Sequence, residues 1–221
     1  MELQMLAAHR YCRTSDSDPI RFYTLPLLGR LYRKRIARCL AMLPPGRRVL
    51  EIGYGSGVSF LSLGQKFDEI HGVDLHDRAG EVERTFARTG LKLRLRQGDI
   101  TNLPFRDESV DAALAVSIHE HLPVDRQRTA FWEVHRVLRP GGAYVVGVPA
   151  LNAMMAAAFR LLGFHIRDHH LSSERQVLAA MREVFEVDRT HYSPCSWPKP
   201  LTTYLCIRGR KPAGTQSEVS P

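Results

Sequence analysis

Apolar residues recur along this chain in two periods, and the periods alternate. Val49, Leu50 and Ile52 form a short, nearly continuous apolar run, the pattern of a strand buried on both faces. Similar runs stand at 70–74, 91–96, 110–116 and 143–148. Between them, residues 58–67, 77–89 and 124–138 show helical spacing; in the last, Phe131, Val134, Val137 and Leu138 share the inner face. Strands alternating with helices in this way predict an α/β, doubly wound, mostly parallel seven-stranded sheet with helices on both faces. Past Pro149 the pattern changes. Residues 150–162 read as a helix rich in alanine and methionine. Ser173 and Gln176 have the spacing of a capping box for a helix reaching Arg182. Residues 185–191 and 203–208 read as two closing strands joined without a helix, which predicts an antiparallel pair.

The ends of the chain differ from this middle. Residues 1–18 are polar and irregular, a mobile lead-in by expectation. Residues 19–43 read as one helix, with Leu28, Leu31, Tyr32, Ile36, Cys39, Leu40 and Leu43 on one face. Arg30, Arg33, Lys34 and Arg38 occupy the other, and Pro44-Pro45-Gly46 ends it. The resulting division is 1–45, a lead-in and basic amphipathic helical cap; 46–208, the main domain, with a helical insertion at 149–183; and 209–221, a polar tail expected to be disordered.

Composition narrows the picture in three ways. A length of 221 residues suits one domain with a real core. The net charge of +8, carried mostly by arginine, suits an anionic partner, and the basic helix is a candidate for peripheral membrane contact. Cys12, Cys39, Cys195 and Cys206 are scattered without paired spacing, which points to reduced thiols and a cytoplasmic setting. The first residues lack the pattern of a signal peptide, and no apolar run is long enough to cross a bilayer.

The chemistry gathers at strand ends. After Ile52 come Gly53, Gly55 and Gly57, then a helix. Glycine lets backbone approach a ligand closely. A dinucleotide fingerprint needs glycine at its first, third and sixth positions. Val58 and Phe60 stand at the sixth positions here, which disfavours a nicotinamide enzyme. What stands instead is an acid, Glu51, leading three alternating glycines. Asp74, Asp99 and Ser117-Ile118-His119 fall at or just past the ends of later strands. In open parallel sheets, ligands sit beyond those carboxyl ends.

In this order and spacing, residues 49–57, Gly72-Val73-Asp74, residues 98–105, Ser109-Val110-Asp111 and residues 138–142 resemble the class I S-adenosylmethionine-dependent methyltransferases of the small-molecule type. The resemblance covers 46–149. It implies S-adenosylmethionine as cofactor. Glu51 would orient the glycine turn and the methionine end, and Gly53, Gly55 and Gly57 would leave that end room. Asp74 would accept both ribose hydroxyls, with Leu75 beside it in the site. Asp99 would accept from the adenine amino group and the Ile100 amide would donate to the ring. Ala115, Val116 and Ser117 would line the methionine end. Tyr54 departs from the family, which has a small residue there; an aromatic would shape the pocket mouth or stack on the N-terminal helix.

His119 is the candidate general base, needed only if the acceptor must lose a proton. His165, Asp168, His169 and His170 form a second polar cluster without zinc spacing, so no metal is expected. The reading is methyl transfer to oxygen or nitrogen of a small-molecule or lipid-like acceptor. Ser117-Ile118-His119-Glu120 replaces the Asn/Asp-Pro-Pro-aromatic of base-methylating enzymes, which argues against base amine methylation; a nucleic-acid methyltransferase is the less favoured alternative that the basic charge keeps open. The rival is a cofactor-binding but catalytically degenerate module serving as a regulator.

Overall fold

A computed structural model describes residues 2–14, 19–150, 171–194 and 202–213. The expected helix 150–162, the His165–His170 cluster and the tail beyond 213 lie outside them.

The strands are β1 (Gly46–Ile52), β2 (Phe67–Asp74), β3 (Leu93–Gln97), β4 (Val110–Val116), β5 (Leu138–Pro149), β6 (Glu186–Ser193) and β7 (Tyr204–Arg210). They form one sheet in the order β3-β2-β1-β4-β5-β7-β6. The first five are parallel, and β7 runs antiparallel between β5 and β6. The helices are α1 (Pro26–Met42), α2 (Phe60–Leu63), α3 (Ala79–Phe86), α4 (Val124–Val137) and α5 (Glu174–Arg182).

Side chains alternate across a strand, so each buried strand feeds two cores. Val49, Leu114 and Val145 pack with Leu40 of α1, Phe60 of α2 and Phe86 of α3. Leu50, Ala113 and Val146 pack with Phe131 of α4 and Met181 of α5. Phe60, Phe86, Leu40, Phe131 and Met181 are all fully buried; such a side chain stabilises the fold by about 1.5–3 kcal/mol. The capping box forms as expected: the Gln176 amide donates to Ser173 Oγ, and the Ser173 amide donates back to Gln176 Oε1 at 2.9 Å.

Several boundaries move for local reasons. The expected first helix is two pieces, a 3-10 turn at Pro19–Thr24 and α1, because Pro26 starts a new helix at its first position. The expected helix after the glycine turn shrinks to the single turn of α2, and β2 begins at Phe67. The end of the chain is not all tail, since β7 reaches Arg210 and Lys211 donates to Gly142 O at 2.9 Å. The lead-in is a correction as well. Leu3 and Tyr11 are buried, the Gln4 amide donates to Ser62 Oγ at 2.9 Å, and Tyr11 meets Phe86 edge-on. The basic face of α1 is only partly solvated: Arg30 and Lys34 are exposed, but Arg33 donates to Tyr23 O and Arg38 lies 2.6 Å from His191 Nε2.

Candidate functional site

Strand order reverses between β1 and β4, and both strands end at the same rim. Such a reversal leaves a crevice past the strand ends. Here it is a cavity of about 950 Å³, near the upper end of the ~300–1,000 Å³ typical of small-ligand pockets. β1 and the turn after it supply Glu51, Gly53, Tyr54, Gly55, Ser56, Val58 and Ser59. Asp74, Leu75 and His76 come from the end of β2, and Val116 to Ile118 with Glu120 and His121 from the end of β4. Tyr23, Tyr32, Arg35 and Ile36 close it from the N-terminal cap.

The glycine turn has two different reasons for its three glycines. All have positive φ, at 69°, 49° and 81° for Gly53, Gly55 and Gly57. A Cβ on Gly53 would stand 2.0 Å from Ile118 Cδ1, and one on Gly57 would stand 2.6 Å from the Phe60 ring. Those two are fixed by packing. A Cβ on Gly55 would meet only Thr14 Oγ1 at 4.0 Å, so its open side is the cavity. Gly57 does not line the cavity.

Asp74 is anchored there. Its Oδ2 accepts from the Gly55 amide at 2.8 Å and its Oδ1 from the His76 amide at 3.3 Å, leaving acceptor capacity on both oxygens. Glu51 is buried and accepts from Ser59 Oγ. Burial pushes its carboxyl up to about 8, with the Asp74 charge adding to the effect and the Ser59 bond opposing it. Tyr54 lies over Gly72, its ring edge-on to His76 at 5.0 Å and tilted on Phe60 at 5.9 Å. Its ring contacts are with these inner rings, and it shares its apolar cluster with Ile36, Cys39 and Leu40 of α1. Burial raises its hydroxyl pKa. Tyr54 Oη and Ser56 Oγ are buried without any hydrogen-bond partner, a state that costs about 1–3 kcal/mol per group and marks a place for a polar ligand. Ser117 adds a second sign of function: it holds φ 58° without being glycine, its amide bonded to Gly147 O at 2.8 Å.

Asp99, Ile100 and Ala115 do not line this cavity. Asp99 and Ile100 follow Gly98, whose amide donates to Asp74 O at 2.9 Å, so they sit beside its outer end. The Asp99 carboxylate is already engaged by Thr101 and by Arg126 at 2.9 Å. Burial opposes ionisation there, but those bonds hold its pKa below the usual range. Ala115 is fully buried on the opposite face, among the residues packed by α4.

His119 is the main correction. It is fully buried and does not reach the cavity. Nδ1 pairs with Gln127 Oε1 at 2.8 Å and Nε2 with Tyr144 Oη at 2.7 Å, so neither nitrogen is left for a substrate. Burial pulls its pKa down to about 4. The geometry makes it a core residue and removes the general-base assignment.

Two residues that sequence reasoning did not select lie in the cavity instead. Glu120 is buried with Oε2 unpartnered, and burial pushes it up to about 8 against the pull of Arg35 and Ser117. Arg35 has a buried, unpartnered Nε. The available signal was its position: Arg35 falls among Tyr32, Ile36 and Cys39, a cation inside the apolar stripe of the helix. Among the described residues, no three His, Cys, Asp or Glu side chains cluster as a metal would require, and no helix is long and apolar enough to cross a membrane.

Residues 50–146 match the family model described as a methyltransferase domain. A probable S-adenosylmethionine-dependent methyltransferase of Mycolicibacterium smegmatis is 31% identical over 164 residues, 72% of this chain and 58% of that protein. A fatty-acid O-methyltransferase of the same organism is 34% identical over 134 residues, 59% of this chain and 45% of that one. The matched part spans between 28% and 58% of the length of the curated relatives. Among solved structures, geranyl diphosphate methyltransferase in complex with S-adenosylmethionine superposes with a TM-score of 0.66 at 19% identity, covering 95% of this chain and 98% of that one.

Proposed function

We propose that residues 50–146, which match the methyltransferase-domain family model, work as a class I S-adenosylmethionine-dependent methyltransferase, and that this chain transfers a methyl group to oxygen or nitrogen of a small or lipid-like acceptor. The carrying observation is the cavity at the β1/β4 reversal, lined by Gly55 with its open side, by the anchored Asp74, and by Tyr54 and Ser56, whose buried hydroxyls have no partner. These groups fit the cofactor: a carboxylate suits a vicinal diol, buried hydroxyls suit its polar atoms, and bare backbone suits its methionine end.

S-adenosylmethionine, when bound, supplies a methyl group already activated on a sulfonium. The protein's work is then to bind, align and exclude water. Asp74 would hold the ribose, Leu75 would cover the adenosine, and Asp99 with Ile100 would take the adenine where they flank Asp74. Glu51 would keep the glycine turn in place through Ser59 and face the methionine end with Val116 and Ser117. The acceptor would enter against Tyr23, Tyr32, Arg35 and Ile36. If it must lose a proton, Glu120 Oε2 is the acceptor on this wall, and a pKa of about 8 suits a base near neutral pH.

The relatives support a small or lipid-like acceptor, since those matched include a fatty-acid O-methyltransferase and a sterol methyltransferase-like protein. The test is calorimetric titration with S-adenosylmethionine, followed by assay of S-adenosylhomocysteine formation over fatty acids, sterols and prenyl phosphates. Tight binding with turnover on one class supports the reading. Binding without turnover on any acceptor favours the regulatory module.

A further inference from the structure

Arg35 is a cation that the fold holds in place with its Nε unpartnered. Its guanidinium carbon lies 4.4 Å from the ring centroid of Tyr32 and 5.1 Å from that of Tyr204, so two aromatic rings position it. Its Nε is buried and bonds to nothing. Other arginines of the same helix are satisfied within the protein: Arg33 donates to Tyr23 O, and Arg38 pairs with His191. Elsewhere Arg48, Arg136 and Arg208 all hold carboxylates at 3.0 Å or less. Glu120 shares the cavity with Arg35 and feels its charge, yet Glu120 Oε2 and Arg35 Nε are both without a hydrogen-bond partner, so no hydrogen bond joins these two atoms.

A buried guanidinium N–H without a partner is costly, and the cost is removed when an acceptor arrives from outside. The planar fork of arginine matches a carboxylate or phosphate. Around it the wall is apolar and aromatic, with Tyr23, Tyr32, Ile36, Val116, Ile118 and Pro149. Arg35 also belongs to the acceptor side. Its neighbours Tyr204 and Glu120 come from β7 and the turn after β4, whereas Asp74 ends β2, across β1.

We propose that Arg35 binds the anionic head group of the acceptor, a carboxylate or a phosphate, so that the acceptor is an acidic amphiphile and not a neutral lipid. This rests on the reading of the cavity as a cofactor and acceptor site.

The experiment is calorimetry on the full chain with S-adenosylhomocysteine present, titrating decanoate, decyl phosphate and decanol below their aggregation limits. Wild type, Arg35→Gln and Arg35→Lys are compared, with thermal melts to establish folding. Wild type should bind at least one of the two acids tenfold or more tighter than decanol, and the stronger of the two identifies the head group. Arg35→Gln should abolish that preference, Arg35→Lys should restore part of it, and S-adenosylhomocysteine affinity should be equal in all three. Equal binding of acid and alcohol, or no binding of either acid, overturns the proposal. So does a tenfold loss of S-adenosylhomocysteine affinity in Arg35→Gln, which would place the cofactor's own carboxylate on Arg35. A wild type that takes up no S-adenosylhomocysteine overturns the cofactor reading separately, and the acid-over-alcohol comparison on the unloaded protein then still decides the role of Arg35.

Discussion

The imidazole of His119 stacks on the ring of Phe131, with centroids 4.3 Å apart and planes within 8°. The contact fixes a neutral ring in an apolar layer, and it sets a pH dependence. Folding lowers the pKa of His119 from 6.5 to about 4. The folded state therefore binds fewer protons than the unfolded state between those values. The contribution is full above pH 6.5 and is lost as pH falls through 6.5 toward 4, by roughly 3–4 kcal/mol in all. His119→Asn should be less stable than wild type at pH 7.5, and the gap should close toward pH 4. Parallel stability curves from denaturant unfolding would show that His119 is not held neutral.

Gly53 and Gly55 separate stability from binding. Gly53→Ala drives a Cβ onto Ile118 at a φ of 69°; it should destabilise the fold by about 2–3 kcal/mol, and Ile118→Ala should recover part of that. Gly55→Ala meets open space, so only the left-handed backbone penalty of about 1–2 kcal/mol applies. Its larger effect should be on S-adenosylmethionine affinity, with a loss of tenfold or more. Chemical denaturation and calorimetry on the two variants check this. An unchanged affinity in Gly55→Ala would remove the cofactor from that side of the turn.

Glu120 should set the pH profile of turnover. Burial holds its carboxyl protonated up to about 8, so the rate should rise roughly tenfold per pH unit below that value and level above it. Glu120→Gln should lower turnover and flatten the profile while S-adenosylmethionine affinity stays the same. A profile with the same slope in wild type and variant would assign the proton to another group or to none.

Much of this was legible in the chain. The parallel sheet, the closing antiparallel pair and the capping box at Ser173 follow from period, turn residues and spacing, which are local properties. The acids at the ends of β1 and β2 were legible for the same reason, because a strand end is also a place in the crevice. His119 was misread because chain position gives proximity to the rim but not the side chain's direction. Its backbone stands just past β4, while its ring turns into the layer under α4, where Gln127 and Tyr144 satisfy it. Arg35 is not legible in the chain because the apolar and basic positions of the helix already divide into two faces without it. The packed lead-in was hidden because its few anchors, Leu3 and Tyr11, show no period.

The most direct test of the account is calorimetric titration of S-adenosylhomocysteine into wild type and Asp74→Ala. Asp74 is anchored by the Gly55 amide at 2.8 Å and is assigned the ribose. Wild type should bind one equivalent, and Asp74→Ala should bind about 10–100-fold more weakly, a loss of about 1–3 kcal/mol. No binding by wild type, or the same affinity in both, would contradict it.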